Sequence, residues 1–378
     1  MLNVAIVGCG KIADAHATQI ARIPGSSIVG VCDHELLMAQ QLFERFPVKA
    51  FFNDLDLMLR EARPDVVHIT TPPQSHFDIA RKCLERGSHV YIEKPFTVFA
   101  DEAEELIALA ERKGLVVTAG HNLQFSHVAR QLRALVASGY LGGNPVHMES
   151  YYCYDLGDPS YARALLGDKR HWVRRLPGKL LQNIISHGIA RVAEFLPSES
   201  PRVIAHGFVS SLLQGIDETE IVDELRVIIR DQQTTAYFTF SSQMRPSMHE
   251  FRIYGPKNGA ILDQDHEILL TLRGKKFKSY ADMFIPPVIF ARQHVKNAFR
   301  NVRLFLGRDF HMDAGMKYLI EAFYGAVRGE RPIPIPYLEI LRTARIMDSI
   351  FEQLNARSPE TSSAAVSNPV SVAIETQA

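Results

Sequence analysis

Short, β-branched, mainly apolar runs alternate with amphipathic stretches along the first third of the chain. Val4–Val7, Ser27–Cys32, Val66–Thr70, His89–Ile92 and Leu115–Ala119 are rich in β-branched residues and predict buried strands. Between them, Ile12–Arg22, Leu36–Phe46, His76–Arg86 and Asp101–Lys113 repeat apolar residues at helical spacing. Strand–helix alternation of this kind predicts an α/β fold, a doubly wound parallel sheet with helices on both faces. Beyond about residue 120 the pattern changes. Phe125–Ser138 and Leu180–Phe195 read as helices. Val146–Tyr154, Val203–Val209, Leu225–Arg230, Thr235–Ser241, His249–Tyr254 and Ile268–Leu272 read as strands, with Gly255–Gly259 as a turn. Strands without intervening helices predict an α+β unit built on a mostly antiparallel sheet. Two helical patterns, His311–Arg328 and Tyr337–Leu354, flank the Pro-rich connector Pro332–Pro336, and the Ser-, Ala- and Thr-rich residues 356–378 read as a disordered tail.

Composition narrows the function classes. The 378 residues are enough for two domains, and Lys plus Arg balance Asp plus Glu at 42 each. No global field points to nucleic acid or a membrane as the main partner. Cys9, Cys32, Cys83 and Cys153 are scattered without metal-ligand spacing, so no metal site is expected, and reduced thiols favour the cytoplasm. The apolar run Leu2–Val7 is too short for a signal peptide, and no stretch is long enough to span a bilayer.

One local exception stands out. Met283 to Arg308 contains no Asp or Glu, and it interleaves Arg292, Lys296, Arg300 and Arg303 with many apolar residues at helical spacing. Such a helix suits a core element with a solvated basic face, or contact with a phosphate, a membrane surface or another subunit.

The N-terminal strand runs directly into Gly8, Gly10 and Ala13, a GxGxxA turn opening a helix. Glycines there let the backbone approach a pyrophosphate, which rests on the helix N-terminal N–H groups, including those of Lys11 and Ile12. Asp33 ends the second strand, where a carboxylate binds the adenosine ribose hydroxyls and repels a 2′-phosphate. The pattern predicts NAD rather than NADP. Residues 1–120 are therefore read as the dinucleotide-binding domain and 121–355 as a substrate and assembly domain.

Candidate chemistry lies at the carboxyl edge of the first sheet. Glu93-Lys94-Pro95 follows the His89–Ile92 strand. A lysine there can hold and deprotonate an alcohol if burial lowers its pKa, and Glu93 can pair with it or support the nicotinamide ribose. Thr71, Pro72 and His76 form a loop suited to the nicotinamide half of a cofactor, although a histidine at such a helix start is more often structural. Asn183 and His187 stand four apart in a predicted helix, and an imidazole is a natural proton acceptor at neutral pH.

Together, the GxGxxA turn, Asp33, Thr71-Pro72 with His76, and Glu93-Lys94-Pro95 resemble the glucose–fructose oxidoreductase, inositol dehydrogenase and rhizopine-catabolism (Gfo/Idh/MocA) family. The segment from His121 and Asn122 through Gln124 to Gly142, and the closing residues Phe323–Pro336, extend the resemblance over roughly residues 3 to 355. It implies a Rossmann domain followed by an open-faced sheet that serves homo-oligomerisation, as a dimer or tetramer. It also implies hydride transfer between NAD and a secondary alcohol of a sugar, nucleotide sugar or cyclic polyol. By the same resemblance Lys94 and His187 are catalytic, and Asn122 joins the cofactor-binding set. Asn183 occupies the family's Asp position, and Gln124 stands where Arg is common. An Asn can orient the His187 ring through a hydrogen bond but cannot stabilise an imidazolium by charge. Two alternatives follow: transient oxidation by tightly held NAD during epimerisation or elimination, and a non-catalytic NAD-binding regulator.

Overall fold

The computed structural model describes residues 1–156, 168–215, 218–310 and 314–356. The first sheet contains β1 (Leu2–Val7), β2 (Ser26–Cys32), β3 (Phe51–Phe52), β4 (Val66–Ile69), β5 (His89–Ile92) and β6 (Val117–Ala119). Their order is β3-β2-β1-β4-β5-β6, and every pairing is parallel. Helices α1 (Lys11–Ile20), α2 (Leu36–Arg45), α3 (Leu55–Ala62), α4 (His76–Glu85) and α5 (Ala100–Lys113) connect the strands. Val4–Val7, Val66–Ile69 and Val90–Ile92 are buried, as strands covered on both faces must be. The strand order reverses between β1 and β4, which opens a crevice beyond their carboxyl ends. Gly8, Asp33, Thr70 and Glu93 each follow a strand end on that side.

Two elements of this sheet were not anticipated, β3 and α3. β3 is a two-residue strand, too short for a periodicity signal. α3 is stopped by Arg63 in the left-handed region and started by Asp54, whose side chain accepts from Leu57 N.

The second sheet orders its strands β13-β12-β11-β7-β10-β9-β8. They are β7 (His147–Cys153), β8 (Arg202–Phe208), β9 (Glu224–Asp231), β10 (Thr234–Ser241), β11 (Met248–Tyr254), β12 (Asn258–Asp263) and β13 (Ile268–Arg273). Pairing is antiparallel except between β10 and β7, which run parallel. β12 begins inside the expected Gly255–Gly259 turn and continues through the buried Ala260 and Leu262. One face carries the second core, including Met148, Leu225, Phe238 and Phe251. The other exposes Ile204, Phe208, Ile228 and Tyr237.

Helix α6 (His127–Ala137) leads into this region. The expected single helix Leu180–Phe195 is broken at Ile185 into α7 (Lys179–Ile184) and α8 (Ser186–Ala193). The long α9 (Ala281–Leu306) lies along β13. Its Asn297 side chain accepts from Leu269 N and donates to Leu269 O, and Gln293 does the same with Thr271. These amides occupy the open hydrogen-bonding edge of the last strand.

Helix α10 (Ala314–Val327) returns to the first core through Leu319, Ile320 and Phe323. α11 (Tyr337–Ala356) spans both cores, with Ile340 in the first and Ile346, Ile350 and Phe351 in the second. Residues 311–313, at the start of the expected His311–Arg328 helix, and the tail beyond Ala356 lie outside the described residues. Among the described residues no helix is long and apolar enough to cross a membrane.

Candidate active site

The crevice at the strand ends is a cavity of about 770 Å³. Asp33 lies at one end, Gly8 and Gly10 form its floor, and Thr71, Pro72 and Ser75 form its wall. Gly8 has φ +92°, and a Cβ there would lie 2.7 Å from Thr71 N. Gly10 differs, because a Cβ there would meet nothing within 4 Å. That open space lies directly over the N-terminus of α1, which has no side-chain cap, and so it suits a pyrophosphate. The Asp33 carboxylate is held by Cys9 N at 2.7 Å and Glu35 N at 3.0 Å. Fixed in this way, it keeps acceptor capacity for ribose hydroxyls. The cavity, the glycine floor and the oriented carboxylate fit a dinucleotide.

At β5 the Lys94–Pro95 peptide is cis. Lys94 Nζ donates to Asn183 O at 3.0 Å, tying the first sheet to α7. Burial pushes the Lys94 pKa below its ordinary 10.5, and the neighbouring Glu93 charge partly opposes that shift. The Glu93 carboxylate turns inward. Its Oε1 meets His16 Nε2 at 2.9 Å, and its Oε2 accepts from Lys94 N at 3.1 Å. His16 Nδ1 lies 2.8 Å from His68 Nδ1, and His68 Nε2 lies 2.9 Å from the Tyr324 hydroxyl. Burial would raise the Glu93 pKa, but the His16 contact and the Lys94 charge outweigh it and hold the carboxyl low. Glu93 thus acts as a buried counter-charge behind Lys94, the pairing role offered from sequence, and its bonded oxygens turn away from the ribose role offered beside it.

His187 opens the second half of the broken helix. Its Nδ1 is buried without a hydrogen-bond partner, and the expected bond from the Asn183 side chain is not formed. The turn at Ile185 removes the continuous helical face that the spacing assumed. Asn183 instead serves Lys94 through its backbone carbonyl. The His187 pKa is pushed well below 6.5, first by burial and then by the Lys94 charge, so the ring is neutral at physiological pH. His121, 6.0 Å away between ring centroids, is lowered to about 4 by burial, and its Nδ1 is also unpartnered. Two buried ring nitrogens thus stand without partners close to a lysine, an exception to the usual pairing of buried polar groups.

Contacts continue from His187 to Tyr152 at 6.0 Å, and from Tyr152 to His249 at 4.5 Å, between ring centroids. Tyr152 and His249 line a second cavity of about 550 Å³ with Tyr154, Gln264, Asp265 and Glu267. Lys94 and His187 line neither cavity; His187 reaches the second through Tyr152, and the Lys94–Pro95 turn reaches the first through His76 and Thr71.

Several expected cofactor residues take other places. His76 is buried, with Nδ1 2.9 Å from Pro95 O and Nε2 2.9 Å from Thr71 O. It fastens the Thr71–Pro72 loop to the Lys94–Pro95 turn and does not face the cavity. Asn122 lines the second cavity, not the dinucleotide one. The Lys11 and Ile12 side chains are exposed and outside the cavity lining, so their contribution is backbone N–H. Sequence reasoning missed Asn53, Trp172 and Arg175, which also line the dinucleotide cavity. Gln74 Nε2 donates to Trp172 O at 3.0 Å, which brings the later segment over the crevice. The chain's single tryptophan beside two arginines was the available signal.

Residues 2–121 match the model of an oxidoreductase family with an NAD-binding Rossmann fold. The D-glucoside 3-dehydrogenase of Escherichia coli K12 is 34% identical over 142 residues, 37% of this chain and 40% of that protein. The UDP-N-acetylglucosamine 3-dehydrogenase of Acidithiobacillus ferrooxidans is 32% identical over 149 residues, 39% of this chain and 44% of that protein. These alignments thus span less than half the length of either relative. The fold likeness extends further. The solved structure of the latter enzyme matches with a TM-score of 0.69 at 20% identity, covering 94% of this chain and 98% of that one. A WlbA dehydrogenase from Bordetella pertussis, in complex with NADH and UDP-GlcNAcA, matches with a TM-score of 0.73 at 14% identity, covering 94% and 96%.

Proposed function

We infer that this chain, whose residues 2–121 match the Gfo/Idh/MocA oxidoreductase model, is a member of that family and transfers a hydride between NAD and a secondary alcohol carbon of a sugar, nucleotide sugar or cyclic polyol. The observation that carries this reading is a buried Lys94 near enough to lower the pKa of His187, whose Nδ1 is unpartnered, in a chain with one crevice that fits a dinucleotide and a second cavity reached from His187 through Tyr152. In this reading residues 1–120 hold the cofactor, and 121–355 supply the substrate side and the assembly surface.

NAD, when bound, accepts or returns the hydride. Asp33 holds its adenosine ribose, and the α1 N-terminus with Gly8 and Gly10 takes the pyrophosphate. The 2′-hydroxyl preference of Asp33 makes NADP the weaker ligand. Lys94, its pKa lowered by burial, accepts the alcohol proton as the alkoxide forms. His187 is neutral and acts as hydrogen-bond partner or proton acceptor at the same or a neighbouring hydroxyl. Without an aspartate behind it, the imidazolium gains no charge support, so the main proton-handling role falls to Lys94. The rings of Tyr152 and Tyr154 and the carboxylates of Asp265 and Glu267 suit the CH faces and hydroxyls of a sugar. The two similar enzymes described above are named as 3-dehydrogenases of a D-glucoside and of UDP-N-acetylglucosamine, which supports that class. The exposed apolar residues Ile204, Phe208, Ile228 and Tyr237 on the second sheet support a homo-oligomer.

The test is nicotinamide absorbance during incubation with NAD and a panel of free sugars, polyols and nucleotide sugars, with Lys94→Ala in parallel. Reduction of NAD that is lost in the variant is expected. Silence across the panel, with cofactor bound, would overturn the dehydrogenase reading.

A further inference from the structure

Helix α9 has two unlike long faces. One is seated on β13 through Gln293 and Asn297, and the partly buried Leu304 falls on the same side. The opposite face is apolar and bare. Phe284, Val288, Val295, Phe299, Val302 and Phe305 fall on one arc, and Phe284, Phe299 and Phe305 are 70, 72 and 68% exposed. With Tyr280 at 75%, these aromatic rings alone present roughly 500 Å². Folded monomers rarely leave so large an apolar patch without a partner.

The charge beside this arc identifies the partner. Arg292, Lys296 and Arg303 form a stripe along one flank, and Lys275, Lys276 and Lys278 precede the helix; all six are exposed. No Asp or Glu occurs from Met283 to Arg308. Among the described residues no ion pair involves Arg292, Lys296 or Arg303. Antiparallel pairing with the same helix of a second copy would set these stripes against like charge. A bare apolar arc with aromatic rings, edged by unpaired bases on a helix of about 39 Å, matches the anionic face of a phospholipid bilayer.

We propose that α9 docks the protein on an anionic phospholipid surface, its axis in the plane of the interface. The aromatic arc enters the headgroup–acyl boundary, and the arginines and lysines meet the lipid phosphates. Phe305 also lines the second cavity, so docking places the rim of that cavity at the lipid surface.

The test is flotation of the full chain with vesicles of phosphatidylcholine alone and with added phosphatidylglycerol. Binding to the anionic vesicles, weakened by salt, is expected. The combined variant Arg292→Gln, Lys296→Gln, Arg303→Gln should bind them on the order of 100-fold more weakly. Phe284→Ser with Phe299→Ser should abolish binding, and both variants should keep NADH binding as a check on folding. Failure of the wild-type chain to float with anionic vesicles at low salt overturns the proposal, as does binding indifferent to both variants. An oligomer that Phe299→Glu takes apart, with no vesicle binding, would assign the arc to a second copy instead.

Discussion

Replacing Asp33 by Asn removes a charge while nearly keeping a shape. The wild-type carboxylate accepts from Cys9 N at 2.7 Å and from Glu35 N at 3.0 Å, and its side chain is 11% exposed. Asn keeps one acceptor oxygen, so one of these backbone donors turns to water near the surface, at a cost of about 1 kcal/mol or less. The ribose loses more. A hydrogen bond to a charged group contributes about 1.5–3 kcal/mol against about 1 for a neutral one, so NADH binding should weaken by roughly 10-fold. For NADPH the sign reverses. Repulsion between a carboxylate and a 2′-phosphate a few ångströms apart costs on the order of 1–2 kcal/mol in a solvated crevice. Its removal should tighten NADPH by about 10-fold, a change of about 100-fold in preference. Trp172 is the single tryptophan and lines the same cavity, so energy transfer from it to the reduced nicotinamide reads both titrations. A preference ratio unchanged within about threefold would refute the assignment of Asp33 to the ribose.

Further outcomes follow from the same geometry. Gly8→Ala forces a left-handed backbone on a side chain that meets Thr71, so both Tm and NADH affinity should fall; Gly10→Ala meets open space and should leave Tm unchanged while weakening NADH alone. Equal effects of the two on Tm, read by a thermal melt, would count against this account of the crevice floor. Glu93→Gln removes the charge that holds the Lys94 pKa up, so the acidic limb of the kcat/KM profile for alcohol oxidation should move to lower pH; a move to higher pH would contradict the pairing. The Glu339 carboxyl is raised to about 8, chiefly by burial and then by Glu194. A folded-state value above the unfolded 4.5 means that its stabilising contribution is full below 4.5 and is lost as pH rises through about 8. Glu339→Gln should therefore flatten the fall in Tm across that window, and parallel Tm curves would argue against a protonated Glu339.

The first sheet was legible because its signals are local. A strand buried on both faces is a continuous apolar run, and the turn that follows β1 carries its glycines in sequence order. What escaped was decided by tertiary contact. β3 contributes two residues, and β12 hides behind the glycines of Gly255–Gly259. The parallel pairing of β7 with β10 depends on partner choice, which period-two alternation does not encode. In the site, the spacing of Asn183 and His187 implied a shared helical face, yet the chain turns at Ile185 and offers Lys94 a carbonyl instead. Glu93 follows a strand end and His76 opens α4, but their side chains bond inward, and no one-dimensional pattern carries that direction. Trp172 and Arg175 reach the crevice from far along the chain, beyond the range of any local motif.

The central claim is direct hydride transfer at the Lys94–His187 centre. Its most direct test is the fate of deuterium placed on the reacting carbinol carbon of a substrate that the panel identifies, with the recovered nicotinamide and product weighed by mass spectrometry. The account predicts that the deuterium appears in NADH and that Lys94→Ala abolishes its transfer. Deuterium retained in the product, or lost to water with no labelled NADH, would contradict it.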